Sequence, residues 1–488
     1  RFIMAKTVVI IGGGVTGTSC AEHVSMYSPD ANIVLLAATD LVKTAVSLRK
    51  LTKTTDELVL KELPKLMFES PLLNVTVKTG VVDSINAEVQ EITLNDGIKL
   101  HYDKLCICTG GSPNVSYELM SHPYVVLVRD TDTVKLFEQR LSNAKKIVVV
   151  GNGGIALELV FEVVKCKIVW CVKHDHIGTN FFDKGASEFL LPILEQNYAD
   201  KECPVRKADT LISKEKRYFV ERYKLADSHT ITGSALGPDW CLNKNLCGNL
   251  TSEKRNVQIK YNCQVAEILP STFNILNSKK KNVYVKLSNG EIIGCDFIVY
   301  ATGVKPNVPK IHTKVHQIKC SPEGHLLVDA NMRTSIPNIY AGGDCCQASW
   351  DQSNYWFQMN LWTQAWQFGA FAGKCIANHL KFDLDLPLDF CFELFTHATK
   401  FFGYKVILLG CYNAQKIDKT SCELLVRCTP GIEYVKLVML NGRVQGATLI
   451  GETGLEETLE NLIINEIDVG FMGTSLLDPD IDIEDFFD

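Results

Sequence analysis

Gly12, Gly14 and Gly17 stand at G-x-G-x-x-G spacing directly after the β-branched run Val8-Val9-Ile10-Ile11. That spacing does chemistry only between a strand and a helix, and here a buried parallel strand precedes it and a helical pattern follows. Gly12 lets the chain turn tightly, Gly14 lets backbone approach a pyrophosphate, and Gly17 lets the helix sit close on the strand. With Gly13, Val15 and Thr16 between them, they turn the unpaired N–H groups of a helix N-terminus toward an anion. A second copy follows the strand Lys146-Ile147-Val148-Val149-Val150: Gly151, Gly153 and Ala156, enclosing Gly154 and Ile155. Alanine in the last position still permits close helix packing. Two dinucleotide sites are therefore expected.

The ends of other strands carry the remaining polar groups. Cys108-Thr109-Gly110 and Ala301-Thr302-Gly303 close two strands of similar sequence, and a short hydroxyl residue followed by glycine lets backbone approach a ligand. Ile339-Tyr340-Ala341-Gly342-Gly343-Asp344 ends in an acid able to hydrogen-bond a polyol, with Gly343 clearing space beside it. A carboxylate at the end of the second strand of each unit usually accepts the adenosine ribose hydroxyls. The first unit has Ala37-Ala38-Thr39-Asp40 there, where Asp40 substitutes only if the strand runs late. The second has Lys173-His174. A cation there accommodates a 2′-phosphate, and a solvated strand-end lysine is the alternative, so the choice between NADH and NADPH stays open.

The elements that must position these groups read as α/β: two Rossmann-like dinucleotide-binding domains and a C-terminal α+β domain. Residues 1–125 are expected to form the first part of one dinucleotide-binding domain and 126–300 a second. Residues 301–385 would complete the first, and 386–488 form the C-terminal domain with an acidic tail. Residues 41–70 read as helical, with Lys43 and Lys50 on the cofactor side. Strands follow at Val75 to Val82, with Val82 assigned to the cofactor, and at Glu91 to Leu100 with an Asp96-Gly97 turn. Met359 to Cys375 reads as a helix whose rings are mainly core, with Trp362 assigned to the cofactor. Asn441-Gly442 marks a hairpin, and Glu456 to Ile467 a final helix. Residues 195–255, polar and rich in lysine and arginine, read as an insertion that is a solvated loop or a partner surface; the tail 478–488 is flexible or a docking segment.

Composition bounds the rest. The 488 residues are too many for one core, and a formal net charge of -6 gives no electrostatic reason for direct nucleic-acid binding. No apolar run is long enough to span a bilayer and no export signal is read, so no membrane association is expected. Arg1-Phe2-Ile3 precedes Met4, the expected natural start. The 18 cysteines are scattered, with no C-x-x-C pair, so neither a zinc site nor a thioredoxin-like pair is indicated; no metal centre is expected, and the thiols are expected to be reduced, in the cytosol or nucleus.

In this order the motifs resemble the two-dinucleotide-binding flavoproteins of the pyridine nucleotide–disulphide oxidoreductase family, over roughly residues 6 to 455. The resemblance implies FAD on Gly12, Gly14, Gly17, Gly343 and Asp344, the aspartate meeting the ribityl chain, and NAD(P)H on Gly151, Gly153 and Ala156. Glu158 falls where the family often places an acid near the nicotinamide, and Lys43 or Lys50 is a candidate ion-pair partner for it near the flavin. A narrower resemblance within the family is carried by Gly151 to Glu158, Gly233 to Trp240, Phe392 to Phe395 and Leu477 to Asp485. It implies a cytoplasmic and nuclear protein that protects the metal-dependent tRNA-splicing ligase from oxidation, which makes the ligase complex a candidate partner.

One departure sets the expected chemistry. No cysteine lies between Cys20 and Cys106, the window in which disulphide-reducing members carry their redox pair, and the C-terminal His-Glu dyad has no clear match: His397 is expected to be structural. The expected function is hydride transfer from NAD(P)H to FAD, giving a slowly oxidised reduced-flavin complex. Its rivals are a diaphorase-type reductase of a carrier protein and an NAD(P)H-sensing module with little turnover. The oligomeric state is left open.

Overall fold

The computed structural model describes residues 5–69, 73–128, 131–196, 219–223, 244–251, 254–273, 280–418, 420–481 and 483. Two five-stranded parallel sheets form its centre. In the first the order is Ile339–Ala341, Lys104–Ile107, Thr7–Ile11, Asn32–Ala37 and Val75–Thr79. In the second it is Val125–Leu127, Phe297–Tyr300, Lys146–Val150, Lys167–Cys171 and Asn256–Lys260. The strand preceding each glycine turn lies mid-sheet, covered on both faces, which is why Val8 to Ile11 and Ile147 to Val150 read as unbroken apolar runs.

The helix Val15–Tyr27 lies against the long helix Trp362–Lys381. Glycines set that approach: a Cβ on Gly373 would stand 2.6 Å from the Cys20 carbonyl oxygen, and one on Gly369 would overlap that of Thr16. The long helix starts at Trp362 and runs to Lys381, later at both ends than the aromatic pattern suggests. Phe368 and Phe371 are buried core, as expected of its rings.

A six-stranded antiparallel sheet forms the C-terminal part, in the order Phe219–Tyr223, Glu423–Thr429, Glu433–Leu440, Arg443–Ile450, Tyr404–Gly410 and Thr396–Phe401. Asn441 and Gly442, at φ +49° and +75°, make the expected hairpin turn. The edge strand corrects the reading of residues 195–255. Phe219–Tyr223 pairs with Glu423–Thr429, so part of the polar insertion completes the C-terminal sheet. The Gly233 to Trp240 stretch and most of the basic residues lie outside the described residues. The insertion's far end is tied to the second nucleotide unit, where the Gly248 N–H donates to the Val164 carbonyl at 2.9 Å.

Residues 41–70 are the larger correction. They form an antiparallel hairpin, Leu41–Lys50 paired with Asp56–Pro64, followed by a single helical turn at Lys65–Phe68. Alternation decides it: Val42 and Thr44 are buried while Leu41, Lys43 and Ala45 are half-buried on the other face. Among the described residues no helix is long and apolar enough to cross a membrane.

Candidate dinucleotide site

The first glycine turn opens on a cavity of about 710 Å³, within the range that small-molecule and cofactor sites occupy. Gly12, Gly13, Gly14, Val15 and Thr16 line it. Gly17 stands behind the turn: a Cβ there would overlap the Gly12 carbonyl oxygen. Gly12 itself has φ +121°, and a Cβ on it would overlap the carbonyl oxygen of Cys108. The turn therefore packs this closely on the neighbouring strand end and on its own helix only because neither position carries a side chain.

Cys108, Thr109 and Gly110 line the cavity from the neighbouring strand, with Asp344 and Trp362 beyond them. Gly343 does not line it; at φ +73° it lies against Thr16 and so sets the approach of Asp344 to the turn. Val82 lines the cavity with Gly80 and Val81, near Ala37, Ala38 and Thr39 at the end of the second strand. Asp40 is turned out to solvent instead. It ion-pairs with Lys65 at 2.7 Å and accepts a hydrogen bond from Thr79, so it does not stand in for the ribose carboxylate. Those hydrogen bonds and the Lys65 charge hold its carboxyl below the ordinary range.

Lys43 lines the cavity; Lys50, at the far end of the same strand, is exposed and does not. The Lys43 N–H donates to the Gly13 carbonyl oxygen at 2.8 Å, and the Thr18 hydroxyl donates to the Lys43 carbonyl oxygen at 2.8 Å. Its ammonium lies 4.0 Å from Glu62, the residue opposite in the hairpin. The far end of the hairpin is anchored elsewhere. Thr52 and Thr54 donate to the buried carboxylate of Glu460, Thr54 at 2.5 Å, and Thr396 donates to the Thr54 carbonyl at 3.1 Å. One hairpin thus joins the glycine turn to the C-terminal part.

Gly303 stands back from the cavity, and the segment after it takes its place: Lys305, Pro306, Asn307, Val308 and Pro309 form one wall. Gly111–Pro113 pairs antiparallel with Val304–Pro306, the Asn307 N–H donates to the Gly110 carbonyl at 2.8 Å, and the Thr109 hydroxyl donates to the Asn307 carbonyl. The two similar strand ends therefore clasp each other. This explains their shared sequence better than a separate ligand contact at each would.

The second glycine turn is built the same way. Gly151 has φ +138°, and a Cβ there would overlap the Ala301 carbonyl oxygen. Gly153 is the N-cap of the helix Gly154–Glu162, which carries Ile155, Ala156 and Glu158, all buried. Trp170 donates its indole N–H to the Gly151 carbonyl at 2.7 Å. Asn152 fastens the turn to the loop after the second strand, accepting from the Gly178 N–H at 2.7 Å and donating to the His176 carbonyl at 3.0 Å. Lys173 is exposed at that strand's end, with His174 behind it, its Nδ1 3.1 Å from the Asn152 amide. Asn152 was missed in the sequence as a spacer between glycines. Leu60 and Glu62 lie in the stretch whose composition suggests a helix, and Asn307 follows a strand-end motif with no sign of its own that it reaches the cavity.

His397 is fully buried, with Nδ1 3.1 Å from the Thr363 hydroxyl, beside Trp362. Burial pushes its imidazole down to about 3, so it is neutral, in keeping with a structural role.

Two parallel sheets with glycine turns of this build define a two-dinucleotide oxidoreductase fold, and the cradle at Gly12 and Gly17 with the Asp344 wall fits FAD. The family model "Pyridine nucleotide-disulphide oxidoreductase" matches residues 6–201 and 249–369. The chain belongs to that family and is an FAD-dependent enzyme that takes NAD(P)H. It is 43% identical over 504 residues to "Pyridine nucleotide-disulfide oxidoreductase domain-containing protein 1" of Mus musculus, covering 99% of each chain. Its counterpart in Dictyostelium discoideum is 38% identical over 548 residues, again with 99% of each covered. A NAD-dependent persulfide reductase from A. fulgidus shares the fold at TM-score 0.63 and 19% identity, over 94% of this chain and 76% of that one.

Proposed function

We propose that this chain moves a hydride from NAD(P)H to FAD and hands the electrons on without a cysteine pair. The observation that carries the reading is the hairpin Leu41–Lys50 and Asp56–Pro64. It supplies Lys43 and Leu60 to the cavity, and no cysteine occurs in its sequence. Bound FAD supplies two-electron acceptance. The protein's part is binding and orientation. The N–H groups of Gly13 to Thr16 hold a pyrophosphate, that of Gly12 being donated to the Leu36 carbonyl; Asp344 accepts from polyol hydroxyls, and Lys43 sets a cation beside the cavity. Glu158, on the second turn's helix, orients the nicotinamide end. With no thiol on the hairpin to take electrons, the reduced protein keeps them with NAD(P)+ bound and returns to its oxidised state slowly in air.

Rapid-mixing absorbance tests this directly. NAD(P)H bleaches the flavin band in the wild type; Lys43→Met slows bleaching while FAD content holds; and a low-molecular-weight disulphide does not restore the band. Catalytic restoration by the disulphide would overturn the reading.

A second reading, an NAD(P)H-sensing module, is favoured by the hairpin's anchorage on Glu460, which couples the cavity to the C-terminal part. In that reading nucleotide binding changes the affinity for a partner. The proposed partner is the tRNA-splicing ligase, in cytoplasm and nucleus, whose metal centre this chain shields from oxidation. Ligase activity surviving aerobic incubation only when both the chain and NAD(P)H are present is the expected result. Equal survival without nucleotide counts against it.

A further inference from the structure

Cys106 and Cys108 lie two residues apart along the strand that flanks the glycine turn, with their sulfurs 3.5 Å apart. Two residues of extended chain span about 6.6 Å between Cα atoms. That is at the upper end of what a disulphide bridges, so closing the bond to about 2.0 Å asks for a small contraction of the strand. Cys20, on the helix after the glycine turn, is the thiol next to this pair. Most buried thiols are inert because nothing reaches them. One of this pair borders a cavity: Cys108, 4% exposed, lines the 710 Å³ space, the only cysteine among the described residues that does so.

We propose that Cys106 and Cys108 form an oxidation site that FAD protects. A hydroperoxide entering the cavity transfers its terminal oxygen to the Cys108 thiol, giving the sulfenic acid and the corresponding alcohol, or water from hydrogen peroxide. The Cys106 sulfur then attacks the Cys108 sulfur, the disulphide forms, and water leaves with the Cys106 proton. The contraction falls on the backbone that supports the site. The Cys108 N–H donates to the Ile11 carbonyl at 2.8 Å, and the Cys108 carbonyl packs where a Cβ on Gly12 would lie. The oxidised strand therefore distorts the pyrophosphate turn and disfavours FAD, whereas bound FAD covers Cys108 and blocks the first step. The device keeps flavin-free protein from refilling under peroxide until a dithiol restores it.

The inference rests on the cavity being the flavin site, so FAD rebinding to stripped full-length protein is measured first, by flavin fluorescence quenching. Failure there removes the site reading itself. Stripped and FAD-loaded proteins are then treated with hydrogen peroxide and digested with trypsin; Cys106 and Cys108 share one peptide and Cys20 lies in another. The expected result is loss of two hydrogens within the shared peptide of the stripped protein and protection in the loaded one. FAD rebinding falls at least ten-fold after peroxide and recovers with dithiothreitol. In Cys106→Ala the reaction stops at a sulfenic acid trapped by dimedone, and no disulphide forms. Equal oxidation with and without FAD, a cross-link to the Cys20 peptide, or unchanged rebinding by the oxidised wild type would each overturn the proposal. The wild-type digest decides the matter even if the variant fails to fold.

Discussion

The backbone N–H of Lys43 is hydrogen-bonded to the carbonyl oxygen of Gly13 at 2.8 Å, which fixes a cavity-lining lysine to the glycine turn. The Thr18 hydroxyl holds the Lys43 carbonyl from the helix side at 2.8 Å. Thr18→Val removes that donor from a buried position. The expected loss is about 1 kcal/mol, close to five-fold in FAD affinity, read by flavin fluorescence.

The two glycine turns separate the two nucleotides. Gly12→Ala drives a methyl into the Cys108 carbonyl and yields protein purified without flavin. Gly151→Ala drives one into the Ala301 carbonyl. It is expected to retain flavin yet fail to bleach with NADH or NADPH. Absorbance of the purified variants, before and after nucleotide, checks both.

Lys436 is fully buried against Asp183 at 2.9 Å, and Asn413 and Tyr434 complete the cluster that pins the second nucleotide unit to the C-terminal sheet. Asp183→Asn strands the buried ammonium and is expected to cost about 3–5 kcal/mol in chemical denaturation. Lys436→Met costs less, because the Asp183 side chain is 23% exposed. Burial alone would raise the Asp183 carboxyl, but the Lys436 charge and the hydrogen bonds hold it below the ordinary range. A depressed carboxylate stabilises the fold above its unfolded value, about 3.9, and that stability is lost as pH falls through the folded value. The acid limb of the wild type is therefore steeper than that of Lys436→Met.

His397 gives a second pH signature. Its imidazole sits at about 3 in the fold and near 6.5 unfolded, so the unfolded chain takes up the proton first. Stability is full above about 6.5 and falls with pH below it, down toward 3. His397→Gln flattens that slope in urea titrations across the mildly acidic range. An unchanged slope would mean that the ring protonates in place.

Both glycine turns and the Gly343-Asp344 strand end were legible because each is a local demand: a positive φ or a missing Cβ that only glycine meets at that spacing. Asp344 came with the same strand end, whereas Trp362, also on the cavity wall, carries no such local signal. The hairpin was not, since Leu, Lys, Ala and Glu fill it with good helix formers and its two-residue alternation is short. Lys43 was still placed at the cavity, on the wrong element. The Phe219–Tyr223 strand was invisible because its partner lies some two hundred residues away and pairing of that range leaves no local pattern. The clasp of Thr109 with Asn307 was hidden likewise: repetition of the strand ends was visible, but not that they bind each other.

The most direct test of the account is anaerobic titration of the purified protein with NADH and then NADPH, followed through the flavin absorbance, with air admitted at the end. Bleaching with a long-wavelength charge-transfer band that outlasts aeration is the predicted result for a flavoprotein whose hairpin offers no thiol to take its electrons. Prompt return of the oxidised spectrum in air would contradict it.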